Sequence, residues 1–233
     1  MVLLPAGAHA AALKIFPVRM VLTPAEPVQT MTIQSSGTEK MRVQMRIFAW
    51  RQENGKDVFD ETRDVLVNPG LFEIAPGGQQ IARLGQRVSP GANEKSYRIF
   101  LEEVPNQQPL KQGEVRTLLR ISIPIFVPAA NIVGKLAWTV SPAGAGGVTV
   151  AIHNQGTVHV QIHRLTLTRA DGAALGAQDM SAYLLPGASL QITLQVNTPV
   201  RRGDALKLSA MTDQADFSAD LVSEPPQREV GAP

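Results

Sequence analysis

Three histidines, His153, His159 and His163, are the residues of this 233-residue chain whose types and spacing first suggest chemistry. Imidazole is a common zinc ligand, and zinc sites complete their ligand set with further histidines, cysteines or carboxylates. His159 and His163 share one side of a predicted strand, whereas His153 belongs to another, and no Asp or Glu accompanies them at ligand spacing. We therefore expect no metal and no cofactor, and we interpret these side chains as ordinary solvent-facing or satisfied histidines.

The sequence gives equally little support to catalysis by other side chains. There are no cysteines, which excludes a cysteine nucleophile, a thiolate metal site and a disulfide framework, and no serine occupies a nucleophile elbow. A glycan-cleaving β-sandwich enzyme would need paired carboxylates, for which Asp60–Glu61 and Glu102–Glu103 are the candidates. Adjacent residues of a strand point to opposite faces, so these are poor acid/base partners. We expect no enzyme.

The amino-acid composition and the net charge of the chain indicate which classes of binding partner to expect. Apolar residues make up 44% of the chain and charged residues 18%, which is typical of a globular protein rather than a disordered one. The formal net charge is only +2, and the basic residues are scattered singly along apparent strands. Because nucleic-acid binding needs a clustered basic face, we expect no nucleic-acid partner.

The first residues resemble the end of a targeting segment. A short apolar run reaches the A-x-A-like sequence AHA, which ends at Ala10. We interpret residues 1–10 as the residual tail of a secretory signal peptide, without the positive n-region that normally precedes it. A frayed apolar N-terminus is the alternative. No later run of 18 or more apolar residues predicts a membrane-spanning helix.

The rest of the chain alternates short apolar runs with turn sequences such as ENGKD, APGGQ, SPGAN, RADG and LPGAS. Regular short strands with this spacing predict an all-β sandwich, and no segment predicts a long amphipathic helix. The candidate strands are Leu13–Leu22, Val28–Gln34, Met41–Arg51, Gln80–Leu84, Tyr97–Glu103, Val115–Val127, Leu136–Val140, Val148–His153, Val158–Thr168, Ser189–Val196 and Ala205–Ala210.

The sequence VPAANIVGK, residues 127–135, is the predicted domain boundary, because it follows the longest apolar strand and contains Pro128 and Gly134. It divides the chain into an N-terminal domain at 11–128, a linker at 129–134 and a C-terminal domain at 135–222. Each half has the size of an immunoglobulin-like sandwich. The tail at 223–233 has little to pack and is predicted to be disordered.

The most unusual element is RTLLRISIPIFVP, residues 116–128. Its alternation predicts a strand, and Pro124, which cannot donate a ladder hydrogen bond, places that strand at an edge or end of its sheet. A long apolar edge strand is an aggregation hazard that soluble proteins normally blunt. Taken alone, the alternation favours side chains that face the protein's own core. The alternating residues are Leu119, Ile121, Ile123, Ile125 and Val127.

Four segments occur in an order that resembles the periplasmic chaperones of the chaperone–usher pilus pathway. They are FPVRMVL (16–22), NPGLFEIAPGGQQIARL (68–84), EKSYRIFLEEVP (94–105) and LLRISIPIFVP (118–128). The later segments HNQGTVHVQIHRLTL and YLLPGASLQITL resemble the second domain of that family. The resemblance covers roughly residues 12–220, and its specificity comes from the ordered combination.

The resemblance implies two immunoglobulin-like β-sandwich domains arranged as a boomerang, in a periplasmic protein. Members of this family bind and cap pilin subunits, whose own sandwich lacks a final strand, by lending their G strand to fill the gap. They deliver these subunits to an outer-membrane usher. The donor side chains would be Leu119, Ile121, Ile123 and Ile125. Self-association of the free chaperone stays open.

The resemblance also implies two basic residues that anchor the subunit's C-terminal carboxylate through charge-assisted hydrogen bonds. Arg19 in FPVRMVL matches the first of them by its position in the motif. Ser122 stands where the family has the second, a lysine, so the chain departs from the pattern and indicates a divergent branch. Arg120 is the first candidate for that role, with Arg98 and Lys135 as rivals.

A buried ionic network between the two domains is the third implication of the resemblance. Arg83, Glu94 and Asp213 are the residues that match it. Buried charges are tolerated only when paired, so such a network would favour one interdomain angle. The leading hypothesis is therefore a pilus-assembly chaperone, and the alternative is a secreted immunoglobulin-like adhesin or ligand-binding module.

Overall fold

The computed structural model describes residues 13–105, 117–143 and 146–224, and every regular element in these ranges is a β-strand. The predicted signal-peptide tail and the start of the predicted strand Val115–Val127 lie outside the described residues, as does nearly all of the predicted 223–233 tail. No helix in the described ranges is long and apolar enough to cross a membrane. The fold is all-β, as the sequence predicts.

The chain divides into two compact units. The first comprises the described parts of Met1–Arg51, Phe59–Gly91 and Lys95–Pro128. The second comprises Gln52–Val58, Ala92–Glu94 and the described residues from Ala129 onward. Two short segments of the N-terminal half are thus assigned to the second unit.

The first unit is a sandwich of two sheets. One has the strand order β1-β3-β8-β6, and the other has the order β2-β10-β9-β4-β5, with β7 also paired to β4. The strands are β1 (Leu13–Phe16), β2 (Met20–Val21), β3 (Val28–Ser35), β4 (Met41–Glu53), β5 (Lys56–Glu61), β6 (Val65–Asn68), β7 (Leu71–Ile74), β8 (Gln79–Gln86), β9 (Lys95–Glu103) and β10 (Arg120–Val127).

The second unit also has two sheets. Their strand orders are β11-β12-β15 and β14-β13-β16-β17. The strands are β11 (Leu136–Ala143), β12 (Gly147–Asn154), β13 (Val160–Arg169), β14 (Ala174–Leu184), β15 (Ser189–Gln195), β16 (Ala205–Thr212) and β17 (Phe217–Val222).

Alternating burial builds the core of the first unit. In β3 and β8 every second side chain is buried, for example Met31, Ile33, Ala82 and Leu84, while the residues between them face solvent or are half-buried. The opposing sheet contributes residues of β4, β9 and β10 to the same cluster. The period of two that predicts these strands therefore also places their apolar side chains between the sheets.

Candidate functional site

β10 has one open side along its first part. It pairs antiparallel with β9 over its whole length, from Arg120 opposite Glu102 to Val127 opposite Lys95. On its other side, β2 pairs with it in parallel only at Ile125 and Phe126. Within the described residues, no strand covers that side from Arg120 to Pro124, and we call this stretch of main chain the open edge. The prediction that this strand lies at an edge is wrong for its end, where β2 pairs with it, but Pro124 itself lies in the stretch that no described strand covers on that side.

The side chains of β10 are divided between the core and the outer face of the sheet. Ile123 and Ile125 are 3% and 0% exposed and belong to the core of the first unit, while Ile121 packs against that core and stays half-buried. Leu119 precedes β10 and is half-buried, and its N–H donates to Glu103 Oε2 at 3.2 Å. Leu118 beside it is 47% exposed.

Arg120 lies on the outer face, where a neighbouring carboxylate holds its guanidinium. Its Nε donates to Glu102 Oε1 at 3.0 Å, and Arg46 Nη2 donates to the other oxygen of Glu102 at 2.8 Å. The guanidinium carbon of Arg120 also lies 4.5 Å from the centre of the Phe100 ring, at a distance typical of a cation–π contact. The Arg120 side chain is nevertheless 61% exposed.

Arg19 and Arg98 lie on either side of β10 where its open edge ends. Arg19 immediately precedes Met20, which pairs with Ile125, and Arg98 is the residue opposite Pro124 on β9. The guanidinium carbon of Arg98 lies 3.9 Å from the centre of the Trp50 ring. Arg19 and Arg98 are both half-buried. They therefore approach the same point of β10 from its two sides.

Lys135, the other rival for the second anchor, belongs to the second unit. It is exposed and precedes β11, and its carbonyl accepts a hydrogen bond from the Gln155 N–H at 2.9 Å.

Of the three residues predicted to form an ionic network, Glu94 and Asp213 lie on either side of one imidazole in the second unit. His159 Nδ1 is 2.7 Å from Glu94 Oε1, and His159 Nε2 is 3.4 Å from Asp213 Oδ2. All three side chains are at most 8% exposed. Arg83 is exposed on β8 and forms no ion pair with any other described residue. We call Glu94, His159 and Asp213 the His159 cluster.

The environment of His159 favours its charged form. Burial lowers the pKa of the imidazole, but the hydrogen bonds that the ring makes to Asp213 and Glu94, together with the negative charges of these carboxylates, outweigh burial and raise that pKa above its ordinary value. A protonated imidazole supplies the positive charge that two buried carboxylates need. His159, rather than Arg83, is thus the basic side chain beside these two carboxylates.

The sequence does not predict the partners of His159. Its expected position in the same strand as His163 is wrong, because β13 begins only at Val160, and a bulge between Ile162 and Arg164 interrupts the pairing of β13 at His163. The available signal was the segment HNQGTVH, whose Asn and Gly indicate a tight turn immediately before a strand. Among the described residues, no group of three His, Cys, Asp or Glu side chains could hold a metal ion.

The comparisons with known proteins agree with this geometry. Residues 12–132, more than half of the chain, match the family described as pili and flagellar-assembly chaperone, PapD N-terminal domain. The chain belongs to this family of chaperones. Among curated protein sequences, none matches this chain.

Solved structures show the fold over nearly the whole length. A chain of the CsuC–CsuE chaperone–tip adhesion subunit pre-assembly complex, from archaic chaperone–usher Csu pili of Acinetobacter baumannii, is 20% identical with a TM-score of 0.66, and the match covers 93% of this chain and 100% of that one. The YadV chaperone is 15% identical with a TM-score of 0.63, over 90% and 99%. A chain of the Salmonella enterica SafA pilin–SafB chaperone complex is 16% identical with a TM-score of 0.60, over 92% and 99%. These low identities are consistent with a divergent branch of the family.

Proposed function

We propose that this protein is a non-catalytic periplasmic chaperone that binds pilin subunits along the open edge of β10 and delivers them to an outer-membrane usher. The observation that carries the proposal is the open edge itself, where no described strand pairs with the outer side of Arg120–Pro124, in a family of pilus chaperones. Such an edge can accept a further strand by β-augmentation. Two of the structural relatives are complexes of a chaperone with a pilin or a tip adhesion subunit.

The direction of the added strand follows from the position of β2. β2 occupies the outer side of β10 from Ile125 onward, so a strand on the open edge has to end near Arg19. If the subunit's C-terminal carboxylate lies at that end, the added strand runs in the same direction as β10. This parallel arrangement brings the carboxylate to a cation without any further loop.

The position of the carboxylate favours Arg98 over Arg120 as the second anchor. Arg98 lies on β9 and Arg19 directly precedes β2, so the two residues flank β10, roughly 10 Å apart as judged by two strand spacings. Arg120 is four residues back along β10 from Pro124, about 13 Å away. We therefore assign the anchor to Arg19 and Arg98.

The side chains that the chaperone inserts into the subunit are then those at, and just before, the start of β10. Ile123 and Ile125 are committed to the core of the chaperone's own first unit. Leu119 and Ile121 are only half-buried, so a subunit can still cover their side chains. We assign the lent side chains to Leu119 and Ile121, with Leu118 adjoining them.

A second surface of the first unit has the properties expected of a binding site for the usher. The outer face of the sheet β1-β3-β8-β6 carries four exposed apolar side chains in two cross-strand rows: Phe16 and Ile81 flank Thr32, while Val28 and Leu66 flank Gly85. Their exposed fractions are 76% for Phe16, 46% for Ile81, 58% for Val28 and 50% for Leu66. The polar row of Thr30, Arg83 and Asn68 separates the two apolar rows, and exposed apolar side chains bordered by polar residues mark a protein contact. We call these four residues the apolar outer face and assign it to the usher.

The test is co-purification of the chaperone with a co-expressed pilin subunit. Arg19→Ala and Arg98→Ala should each weaken the complex about tenfold or more, because a hydrogen bond to a charged group contributes roughly 1.5–3 kcal/mol. Arg120→Ala should weaken it less than about threefold. Arg63→Ala removes an exposed arginine of the same unit and is the matched control.

The subunit provides an independent check of the same contact. A pilin extended by one residue at its C-terminus moves its carboxylate away from Arg19 and Arg98, so it should bind the native chaperone as weakly as the native pilin binds Arg19→Ala. Unchanged binding in all these variants would overturn the proposal.

A further inference from the structure

His159 is held between two carboxylates in a site that is closed to solvent. Besides the contacts of its ring, the His159 main-chain N–H donates to Glu94 Oε1 at 3.1 Å. On the other side, the Gln161 N–H donates to Asp213 Oδ1 at 2.6 Å. The ring of Tyr183, on β14, packs 5.8 Å from the imidazole, centre to centre. Both carboxylates are thus fixed by main-chain donors as well as by the imidazole.

The loop before β13 fixes the position of the imidazole. The Asn154 side chain is fully buried, donates to the carbonyls of Val158 and Leu184 at 2.8 and 2.9 Å, and accepts from the Gly156 N–H at 2.9 Å. The Glu94 N–H in turn donates to the Thr157 carbonyl at 2.8 Å. The loop that presents His159 therefore also binds the main chain of Glu94.

The charge of the cluster depends on one proton. Glu94, from the segment Ala92–Glu94, and Asp213, which follows β16, are the described ionisable groups whose charges act on the ring. With a protonated imidazole the three groups carry a net charge of −1, and with a neutral imidazole they carry −2. Two buried carboxylates without a compensating cation are costly. Loss of the proton therefore weakens the cluster.

We propose that the His159 cluster is a pH-sensitive clasp that holds the segment Ala92–Glu94 on the second unit while His159 is protonated and releases it as His159 loses its proton. Glu94 directly precedes β9, so release of this segment frees the chain at the point where β9 begins. The inference rests on the geometry of the cluster and is independent of the proposed function.

The direction of the pH effect follows from linkage. The pKa of His159 is raised in the folded protein above its ordinary value of 6.5. The clasp is therefore at full strength below that ordinary value and weakens as pH rises through the folded value. Between the two values, the equilibrium constant for opening increases with pH, by at most tenfold per pH unit.

Nuclear magnetic resonance of the intact protein tests the first part of this proposal. The imidazole resonances of His159, assigned by comparison with His159→Gln, should titrate with a midpoint above 6.5. Glu94→Gln and Asp213→Asn keep the side-chain shapes and remove one negative charge each, so each should lower that midpoint. A midpoint at or below 6.5, or one that neither variant lowers, would overturn the clasp.

Hydrogen exchange tests the release itself. Protection factors at the Glu94 and His159 amides should fall as pH rises between the ordinary and the folded midpoint of His159, by at most tenfold per pH unit. Amides of β12, in the core of the same unit, are the internal reference and should keep constant protection factors. In His159→Gln the amides of the clasp should lose this pH dependence. Constant protection at Glu94 in the native protein would contradict the proposal, even if His159 titrates as expected.

Discussion

Gly156 shows how a single residue determines the loop that presents His159. A Cβ atom at this position would lie 2.3 Å from the carbonyl oxygen of Val133 and 2.9 Å from the main-chain nitrogen of Lys135. Both contacts are with main-chain atoms, so no side-chain rotation can relieve them. A glycine is therefore required for the loop to approach the strand that follows the linker.

Replacing this glycine gives a prediction for the second unit. Gly156→Ala should lower the free energy of unfolding by about 3 kcal/mol, near the upper end of the usual cost of overpacking. Gly134→Ala is the matched control, because its Cβ would meet only the Phe217 side chain at 3.5 Å, an ordinary contact. Urea denaturation followed by circular dichroism measures both. Equal stability of the two variants would show that the loop can move to accommodate a methyl group.

Also at the scale of single residues, the sequence predicts which side chains are of interest better than it predicts which residues they contact. Glu94 is 65 positions from His159 in the chain, and the main-chain contact of Asp213 joins residues 52 positions apart. No local pattern connects such positions, because the fold alone brings them together. The resemblance implies a network of Arg83, Glu94 and Asp213, and the structure places His159 rather than Arg83 beside the two carboxylates.

Among the elements, β10 shows which properties of a strand the alternation of apolar residues predicts and which it does not. Its period of two predicts a strand, which the pairing with β9 confirms. Pro124 predicts an edge strand, and the structure departs from this because β2 pairs with the end of β10, although no described strand covers the outer side of Pro124 itself. Alternation does not say which neighbour receives the apolar side chains, because a core and a partner groove impose the same period. The structure places Ile123 and Ile125 in the core and leaves Leu119 and Ile121 half-buried.

Because Ile123 and Ile125 are core residues and Leu119 is only half-buried, we expect substitutions at these positions to have opposite effects on stability and on pilin binding. Ile123→Ala and Ile125→Ala should each destabilise the first unit by about 2–5 kcal/mol, the usual cost of truncating a buried aliphatic side chain. Leu119→Asp should leave the free energy of unfolding nearly unchanged and should prevent pilin capture, because a charge would enter the subunit's apolar groove. Thermal unfolding and co-purification measure the two effects. Loss of stability in Leu119→Asp would indicate that Leu119 is a core residue as well.

The strands that the sequence did not predict are those with little apolar alternation. The predicted segment Leu13–Leu22 is two strands, β1 and β2, separated at Pro17. β14 contains Gly176 and a run of exposed polar residues, and only its two ends show a buried side chain. Sheet pairing with a neighbour, rather than a buried face of its own, stabilises such a strand, and pairing cannot be read from local sequence. The other unpredicted strands are β5, β6, β7 and β17.

On the scale of the whole molecule, the proposed function needs two surfaces that can be occupied at once. The open edge belongs to one sheet of the first unit, and the apolar outer face belongs to the other. The two sheets of a sandwich turn their outer faces in opposite directions, so a subunit on β10 leaves the apolar outer face uncovered. A carrier between two partners requires this separation, because the subunit must remain bound while the usher is engaged.

This separation predicts that transport can be abolished without loss of subunit binding. Leu66→Asp and Ile81→Asp place charges in the apolar outer face, where the side chains are 50% and 46% exposed, so both variants should fold and bind a pilin as the native protein does. Each should lower the affinity of the chaperone–pilin complex for the usher about tenfold or more, because burying an unpaired charge at an interface is costly. Surface-bound usher titrated with purified complex measures this affinity, and Arg63→Asp is the control because it also places a carboxylate at an exposed position of the same unit, outside the apolar outer face. If the two variants bind the usher normally, the apolar outer face has another role, while the assignment of β10 to the subunit is unaffected.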